Sequence, residues 1–200
     1  MSEDTKQARF ERVAHAVVST LLRGGPEALK VATIARRAGV SRAWIYKYFG
    51  SSHGDLLAFT AREFGAHFAD LEASHAAPTV AAWRDGIREA TRKGLRDTAA
   101  APWLLTLRFR YRDDRSVLGE TIRDLEARHR EKFLRELPPK LASHPSAARF
   151  SEVFTQARLG VYAWWRSPTT RDENDEDGVI DDLMGMLDSF IARASEGERP

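Results

Sequence analysis

Apolar residues recur every three or four positions along almost the whole chain, which is the spacing of one face of an α-helix. The first stripe holds Phe10, Val13, Val17 and Leu21, and Gly24-Gly25-Pro26 ends it. Similar stripes predict eight more helices, at 31–38, 42–49, 55–73, 80–95, 102–111, 118–133, 150–164 and 179–191. The sequence therefore predicts an all-α protein of about nine helices.

Composition excludes several classes of protein. With 200 residues, 42% of them apolar, the chain can bury a core, and no cysteine is present for a disulfide or a thiolate metal site. Its N-terminus is polar, and no apolar run approaches the ~20 residues of a membrane span. These features predict a soluble cytoplasmic protein that does not enter a membrane.

Charge is unevenly distributed although the net charge is only +2. Residues 1–52 contain nine Lys or Arg against four Asp or Glu, a surplus of +5, so residues 53–200 carry −3. A basic N-terminal part is typical of a protein that places this end against a polyanion.

One stretch, SRAWIYKYFGSSHG from Ser41 to Gly54, has two incompatible interpretations. Its end matches the G-x-S-x-G pattern of a nucleophile elbow, and the aromatic WIYKYF before it would then be a strand, which would make Ser52 the nucleophile of a hydrolase. It can equally be a short DNA-reading helix followed by a turn. The all-α pattern favours the second interpretation, because an elbow requires a parallel sheet.

The preceding residues support a helix-turn-helix. Gly39 can supply the positive φ of the tight turn, and Ala35 is small enough for two helices to cross closely. Ser41 is a suitable N-cap for a second helix, Arg42 to Phe49, which we call the reader helix. Its outward residues are predicted to be Arg42, Trp44, Lys47 and Tyr48, side chains suited to phosphates and base edges.

This arrangement resembles the TetR family of bacterial transcription regulators. The resemblance rests on IARRAGVS from Ile34 to Ser41, on YKYF from Tyr46 to Phe49 and on Asp55-Leu56-Leu57, and it covers about residues 8–60. It implies an operator-binding domain at residues 1–54 and an effector-binding and dimerisation domain at residues 55–200. It also implies DNA contacts by Ala32, Thr33, Ser41, Arg42, Ala43, Trp44, Tyr46, Lys47, Tyr48 and His53.

Two positions depart from the family pattern. Lys30 stands where members usually have a capping Thr, which leaves the cap of the second helix without its usual side chain. The stretched turn GSSHGD lacks the usual Lys and offers His53 as a weaker phosphate contact.

The C-terminal part is rich in large side chains that could line an apolar effector cavity. The candidates are Phe64, Trp83, Trp103, Leu107, Tyr111, Phe154 and Tyr162. His129 lies on an apolar stripe, where a hydrogen-bonded core histidine is the expected interpretation and a ligand contact is the alternative. The six histidines show no metal-ligand spacing, so no metal or cofactor is predicted.

The last two helices carry apolar residues on more than one face, which predicts that they pair with their symmetry mates in a homodimer. The alternative is that both helices are buried within one chain, and the family resemblance favours the dimer. The predicted interface residues are Val161, Trp165, Leu183, Met186, Leu187 and Phe190. The function predicted from all these features is a homodimeric repressor that a small apolar or aromatic effector releases from a palindromic operator. Control by a protein partner without any small molecule is the alternative, and a Ser52 hydrolase is the minor one.

Overall fold

The computed structural model describes residues 3–68, 71, 73–100, 103–165 and 175–196. Within these residues the protein has ten α-helices, one short 3-10 turn and no strand. The helices are α1 (Glu3–Gly24), α2 (Val31–Ala38), α3 (Arg42–Phe49), α4 (His53–Phe68), α5 (Val80–Ala100), α6 (Trp103–Tyr111), α7 (Val117–Glu136), α8 (Pro139–Ala142), α9 (Ala147–Trp165) and α10 (Glu176–Glu196). The all-α prediction is confirmed, and the additional helix is the single turn α8.

The helix α4 is shorter than its sequence pattern predicts. It ends at Phe68, whereas the prediction continued it to Ala73, and the described residues 71 and 73–79 are not helical. The segment ASHAAP before Thr79 offers no apolar side chain larger than alanine to bury, and Pro78 disfavours helical geometry in the residue before it. The predicted extension was therefore wrong.

Two compact units make up the chain. The first unit comprises Met1–Ala66 and Trp103–Leu125, and the second comprises His67–Pro102 and Glu126–Pro200. The functional boundary after residue 54 remains a prediction.

In the first unit, α1 packs against α2 through a fully apolar core. Val13, Val17 and Ile34 are completely buried. Two arginines connect the helices at the edge of this core: Arg12 Nε donates to the carbonyl oxygen of Ala38 at 3.0 Å, and Arg37 donates to Thr20 Oγ1 at 2.6 Å. The Arg12 bond satisfies a carbonyl at the end of α2, where helical carbonyls lack partners, and the Arg37 bond ties α2 to a hydroxyl on α1.

In the second unit, α5 packs against α9 and α10, and a row of ion pairs joins α5 to α10. Arginines four residues apart on α5 face acids on α10, because residues at this spacing share one helix face. The pairs are Arg84 with Asp188 at 2.6 Å, Arg88 with Asp181 at 2.6 Å, Arg92 with Asp177 at 2.7 Å and Arg96 with Glu176 at 3.0 Å.

The pair of Arg84 and Asp188 is bidentate, with Nε and one terminal nitrogen donating to the two carboxylate oxygens at 2.6 and 2.7 Å. This hydrogen bonding lowers the pKa of Asp188 below its ordinary value and exceeds the opposing effect of desolvation. The hydrogen bond from Arg92 lowers the pKa of Asp177 in the same way.

Within the described residues, none of the helices combines the length and the apolar character needed to span a bilayer.

Candidate nucleic-acid interface and ligand site

The turn between α2 and α3 has the geometry of a helix-turn-helix. Gly39 adopts φ 64° and ψ 37°, a left-handed conformation that side-chain-bearing residues rarely adopt. The Val40 amide donates to the carbonyl oxygen of Ala35 at 3.0 Å and closes the end of α2. The buried side chains of Ile34 and Ile45 come from the two helices that this turn joins.

Ser41 starts the reader helix α3 as the sequence predicts. Its Oγ accepts the backbone N–H of Trp44 at 3.0 Å, and its backbone is extended. The side chain therefore satisfies one of the N–H groups that the first turn of a helix leaves without a partner.

One face of α3 is open to solvent. Arg42, Ala43, Tyr46 and Lys47 are exposed, and Tyr46 keeps 48% of its surface accessible. Spacings of one and four residues place these side chains on a single side of the helix. The face combines two cations with an aromatic hydroxyl, which can bind phosphates and base edges.

Two of the predicted outward residues lie instead against the protein. Trp44 and Tyr48 are half-buried, their ring centroids lie 5.3 and 5.6 Å from that of Phe10, and the Trp44 indole nitrogen is buried. Phe49 and Phe59 complete this aromatic cluster around Phe10. The description of Trp44 and Tyr48 as outward was therefore wrong, because α1 supplies an apolar surface that the local sequence does not reveal.

The GSSHG stretch is a turn between two helices. Gly50 ends α3 at φ 77°, and Ser52 Oγ accepts the Asp55 N–H at 3.0 Å and donates to Asp55 Oδ2 at 2.6 Å. The strand interpretation of WIYKYF is wrong, since these residues belong to α3. The Ser52 hydroxyl caps α4, while His53 is exposed at the first residue of that helix.

The N-terminus of α2 has no side-chain cap, as predicted from Lys30 standing where family members usually have a capping Thr. Lys30 contributes only its carbonyl oxygen, which accepts the N–H groups of Thr33 at 2.8 Å and Ile34 at 3.0 Å. The Lys30 side chain is exposed, and so is Ala32, whereas Thr33 is half-buried. The first backbone N–H groups of such a helix can donate to an anion.

This geometry agrees with a family model. Residues 16–58, which contain the C-terminal part of α1, all of α2 and α3 and the start of α4, match the model described as "Bacterial regulatory proteins, tetR family". Over these residues, which we call the TetR-type domain, the chain is similar to that family.

Solved structures share the fold over most of the chain. FadR from Bacillus subtilis, solved in complex with stearoyl-CoA, is 16% identical, with a TM-score of 0.66 over 88% of this chain and 97% of that chain. FadR from Bacillus halodurans is 17% identical, with a TM-score of 0.66 over 88% and 98%. The TetR protein SCO7222 from Streptomyces coelicolor is 16% identical, with a TM-score of 0.59 over 91% and 97%. No curated protein sequence matches the chain.

The predicted effector residues divide between the two units. Phe64, Leu107 and Tyr111 belong to the same unit as the TetR-type domain, and the side chain of Trp103 lies outside the described residues. Trp83, Phe154 and Tyr162 belong to the second unit and are buried there. Phe133 connects two of them, with ring centroids 5.7 Å from Trp83 and 6.1 Å from Phe154.

A narrow crevice of about 10 Å³ lies beside these rings in the second unit, and its lining includes ionisable side chains that the sequence interpretation missed. Arg158 and Lys132 are each only 6% exposed. Lys132 forms an ion pair with Glu136 at 3.1 Å, and Arg158 Nε donates to the Tyr162 hydroxyl at 3.0 Å. His129, predicted to be a core histidine, is half-buried and lines the same crevice.

The signal for Arg158 was present in the sequence. It stands four residues after Phe154 and four before Tyr162, in the middle of an apolar stripe. An arginine in the middle of an apolar helix face is buried with that face. A buried guanidinium needs an anion or a hydrogen-bond acceptor as its partner.

The predicted dimer residues are mostly buried within their own chain. Trp165, Leu183, Leu187 and Phe190 retain at most 4% of their surface, so they form the core of the second unit. Val161 is half-buried and Met186 remains 37% exposed. Assigning the four core residues to an interface was wrong, because both helices pack against elements of the same chain. Exposed apolar surface on α9 comes instead from Val153 and Trp164.

Proposed function

We propose that the protein is a homodimeric, one-component transcription repressor that a small-molecule effector releases from a palindromic operator. The observation that carries the DNA-binding part is the exposed face of α3, because Arg42, Tyr46 and Lys47 point away from the core on a helix that a capped turn holds in place. This helix would lie in the major groove, with the backbone N–H groups at the start of α2 and His53 beside the phosphates.

A dimer would place two reader helices in successive major grooves, which makes the operator a near-palindrome. The surface available for pairing includes Val153 and Trp164 on α9 and Met186 on α10, all exposed in the single chain. Gly160 and Gly185 are also exposed on these helices. No atom lies within 4 Å of the point where a β-carbon would stand at either glycine, so a partner helix has room to approach closely. These features favour a helical interface formed by α9 and α10.

The effector site would lie in the second unit, near Trp83, Phe154 and Tyr162. A protein with the same fold, FadR from Bacillus subtilis, was solved in complex with stearoyl-CoA, which supports a small-molecule effector here. Effector binding would favour a conformer in which α4 has shifted and the two reader helices have a different separation. A hundredfold release from DNA requires about 2.7 kcal/mol of coupling between the two sites.

The experiment measures the affinity of the purified protein for the DNA upstream of its own gene, over a range of salt concentrations. Lys47→Ala should weaken binding and reduce the salt dependence by about one phosphate contact. Arg135→Ala, which removes an exposed cation of α7 in the other unit, is the matched control and should leave affinity unchanged. Unchanged affinity in folded Lys47→Ala and Arg42→Ala proteins would contradict the assignment of α3 as the reader.

A further inference from the structure

We propose that the crevice beside Trp83 binds the carboxylate group of an amphipathic acid, with Arg158 as its anchor. This inference rests on the proposed effector-binding function of the second unit and names the chemical class of the effector. The sequence had predicted only an apolar or aromatic ligand. The buried polar groups around the crevice indicate that the ligand also carries an acidic group.

The buried charges at the crevice do not cancel. Lys132 is paired with Glu136, and the same Glu136 oxygen, Oε2, also accepts the backbone N–H of His75 at 3.2 Å. Among the described residues, Arg158 has no carboxylate within ion-pair distance, and its one hydrogen bond is to the neutral hydroxyl of Tyr162. Burying an unpaired cation is unfavourable, so an arginine that is 6% exposed indicates a missing anion.

The unsatisfied polar group at the crevice is a donor. Trp83 lines the same crevice, and its buried Nε1–H has no hydrogen-bond partner among the described residues. The hydroxyls of Ser151 and Thr155 on α9 are unsatisfied as well, but these two residues are not part of the crevice lining. An ionised carboxylate only accepts hydrogen bonds, so it complements the Trp83 N–H and the Arg158 guanidinium.

The Arg158 guanidinium is oriented for this ligand. Its Nε is occupied by Tyr162, which leaves the two terminal nitrogens for a second partner. Two parallel N–H groups match the two oxygens of a carboxylate. The rings of Phe154 and Tyr162 lie against the guanidinium, with centroids 6.0 and 5.7 Å away. Both rings are close enough for cation–π contacts with the guanidinium.

The remaining lining is apolar, so the acid must carry an apolar body. Ile87 and Phe133 line the crevice with Trp83, and Phe154 contacts Phe133. The free volume of about 10 Å³ accommodates a group of about the size of one water molecule. The ligand therefore binds a conformer with a wider crevice. Because the ligand binds this open conformer better than the closed one, binding shifts the equilibrium between them. His75, on the non-helical segment 73–79, forms one wall of the crevice.

The test is calorimetric titration of the full-length protein with decanoate and phenylbutyrate, each compared with its neutral primary amide and with decyl phosphate. We expect at least one acid to bind. Its amide should bind at least about tenfold more weakly, because the amide lacks the charge and one hydrogen-bond acceptor. Arg158→Met should weaken binding of the acid by at least about tenfold and leave the weak binding of the amide nearly unchanged. Arg149→Met, on the exposed side of the same helix, should change neither.

Two further measurements separate an anchoring role from a structural one. If Arg158 is an unpaired buried cation, the ligand-free Arg158→Met protein should unfold at the same temperature as the wild type or a higher one. Arg158→Lys keeps the charge and loses the bidentate geometry, so it should still fold and bind the acid more weakly than the wild type.

Three results with the wild type would overturn the proposal: equal binding of an acid and its amide, binding of decyl phosphate without either acid, or no binding of either acid. Unchanged acid affinity in Arg158→Met or in Arg158→Lys would overturn it as well. Operator binding is measured separately on the same ligand-free proteins. Operator binding without acid binding would refute only the ligand class. Acid binding by a protein that does not bind its upstream DNA would refute the regulator and leave the acid site standing.

Discussion

Ser52 and Asp55 bond to each other twice, once through the Ser52 hydroxyl to the Asp55 carboxylate and once through the Asp55 N–H to Ser52 Oγ. This reciprocal arrangement is an N-cap of α4, and it makes Ser52 a structural residue. Ser52→Ala should lower the free energy of unfolding by about 1 kcal/mol, whereas Ser52→Asn, which retains a capping oxygen and an N–H donor for the Asp55 carboxylate, should remain close to the wild type. Chemical denaturation measures both.

The same pair of variants tests the hydrolase interpretation. Ser52→Asn removes the hydroxyl nucleophile, adds no charge and keeps the cap, so it should bind operator DNA like the wild type. An ester-hydrolysing activity of the wild type that disappears in Ser52→Asn would contradict the structural role assigned to Ser52.

Phe10 holds the reader helix against α1 through its contacts with Trp44, Tyr48 and Phe49. Phe10→Ala should destabilise the protein by about 2–3 kcal/mol, less than the about 3–5 kcal/mol of a fully buried phenylalanine, because Phe10 is half-buried. Thermal unfolding and operator affinity should both decline. Tyr46→Ala is the contrasting variant: it should weaken DNA binding while stability stays within about 0.5 kcal/mol. Equal stability of Phe10→Ala and the wild type would show that the cluster does not support α3.

Gly94 permits the ring of Tyr162 to lie against α5. A β-carbon at this position would stand 2.5 Å from Tyr162 Oη and 2.6 Å from Cζ, and the ring is buried. Helix propensity alone predicts that Gly94→Ala stabilises the protein by up to about 1 kcal/mol. We expect the opposite sign, because the alanine must displace the buried ring of Tyr162.

Gly86 on the same helix is the control for this substitution. A β-carbon there would lie 3.6 Å from the nearest atom of His75, an ordinary contact. Gly86→Ala should therefore stabilise the protein, by up to about 1 kcal/mol. A stabilising effect of Gly94→Ala as large as that of Gly86→Ala would refute the close packing of Tyr162.

The ion pair of Arg84 and Asp188 should contribute to stability only above acidic pH. The pKa of Asp188 is lower in the folded protein than its ordinary value, so its contribution is fully present above the unfolded value of about 3.9 and is lost as the pH falls through the folded value. Asp188→Asn should cost about 1 kcal/mol or less at pH 7, because solvent and salt screen this partly exposed pair.

The difference in stability between wild type and Asp188→Asn should shrink below about pH 4, and urea unfolding over a pH series measures it. Asp182→Asn, at an exposed position of the same helix, serves as the control. A difference that stays constant down to about pH 2 would contradict the lowered pKa.

The sequence by itself determined the elements whose cause is local. The bounds of α2 and α3 follow from Gly39 and Ser41, whose backbone conformation and capping oxygen act on their immediate neighbours. The exposed Arg42 and Lys47 also follow from position on a helix, since neither is needed in the core. Local patterns of this kind were sufficient for the all-α fold and for the reader helix.

Only the tertiary structure decided which apolar residues are free for a partner and which polar ones are buried. Leu187 and Phe190 are indistinguishable in the sequence from interface residues, but α9 and α5 cover them within one chain. Trp44 faces inward because Phe10, thirty-four residues earlier, provides a ring to pack on. Arg158 lies four residues from each of Phe154 and Tyr162, and only the packing of α5 against α9 shows that its charge is buried without an anion. Burial depends on contacts between residues far apart in the chain, and periodicity along one helix does not contain that information.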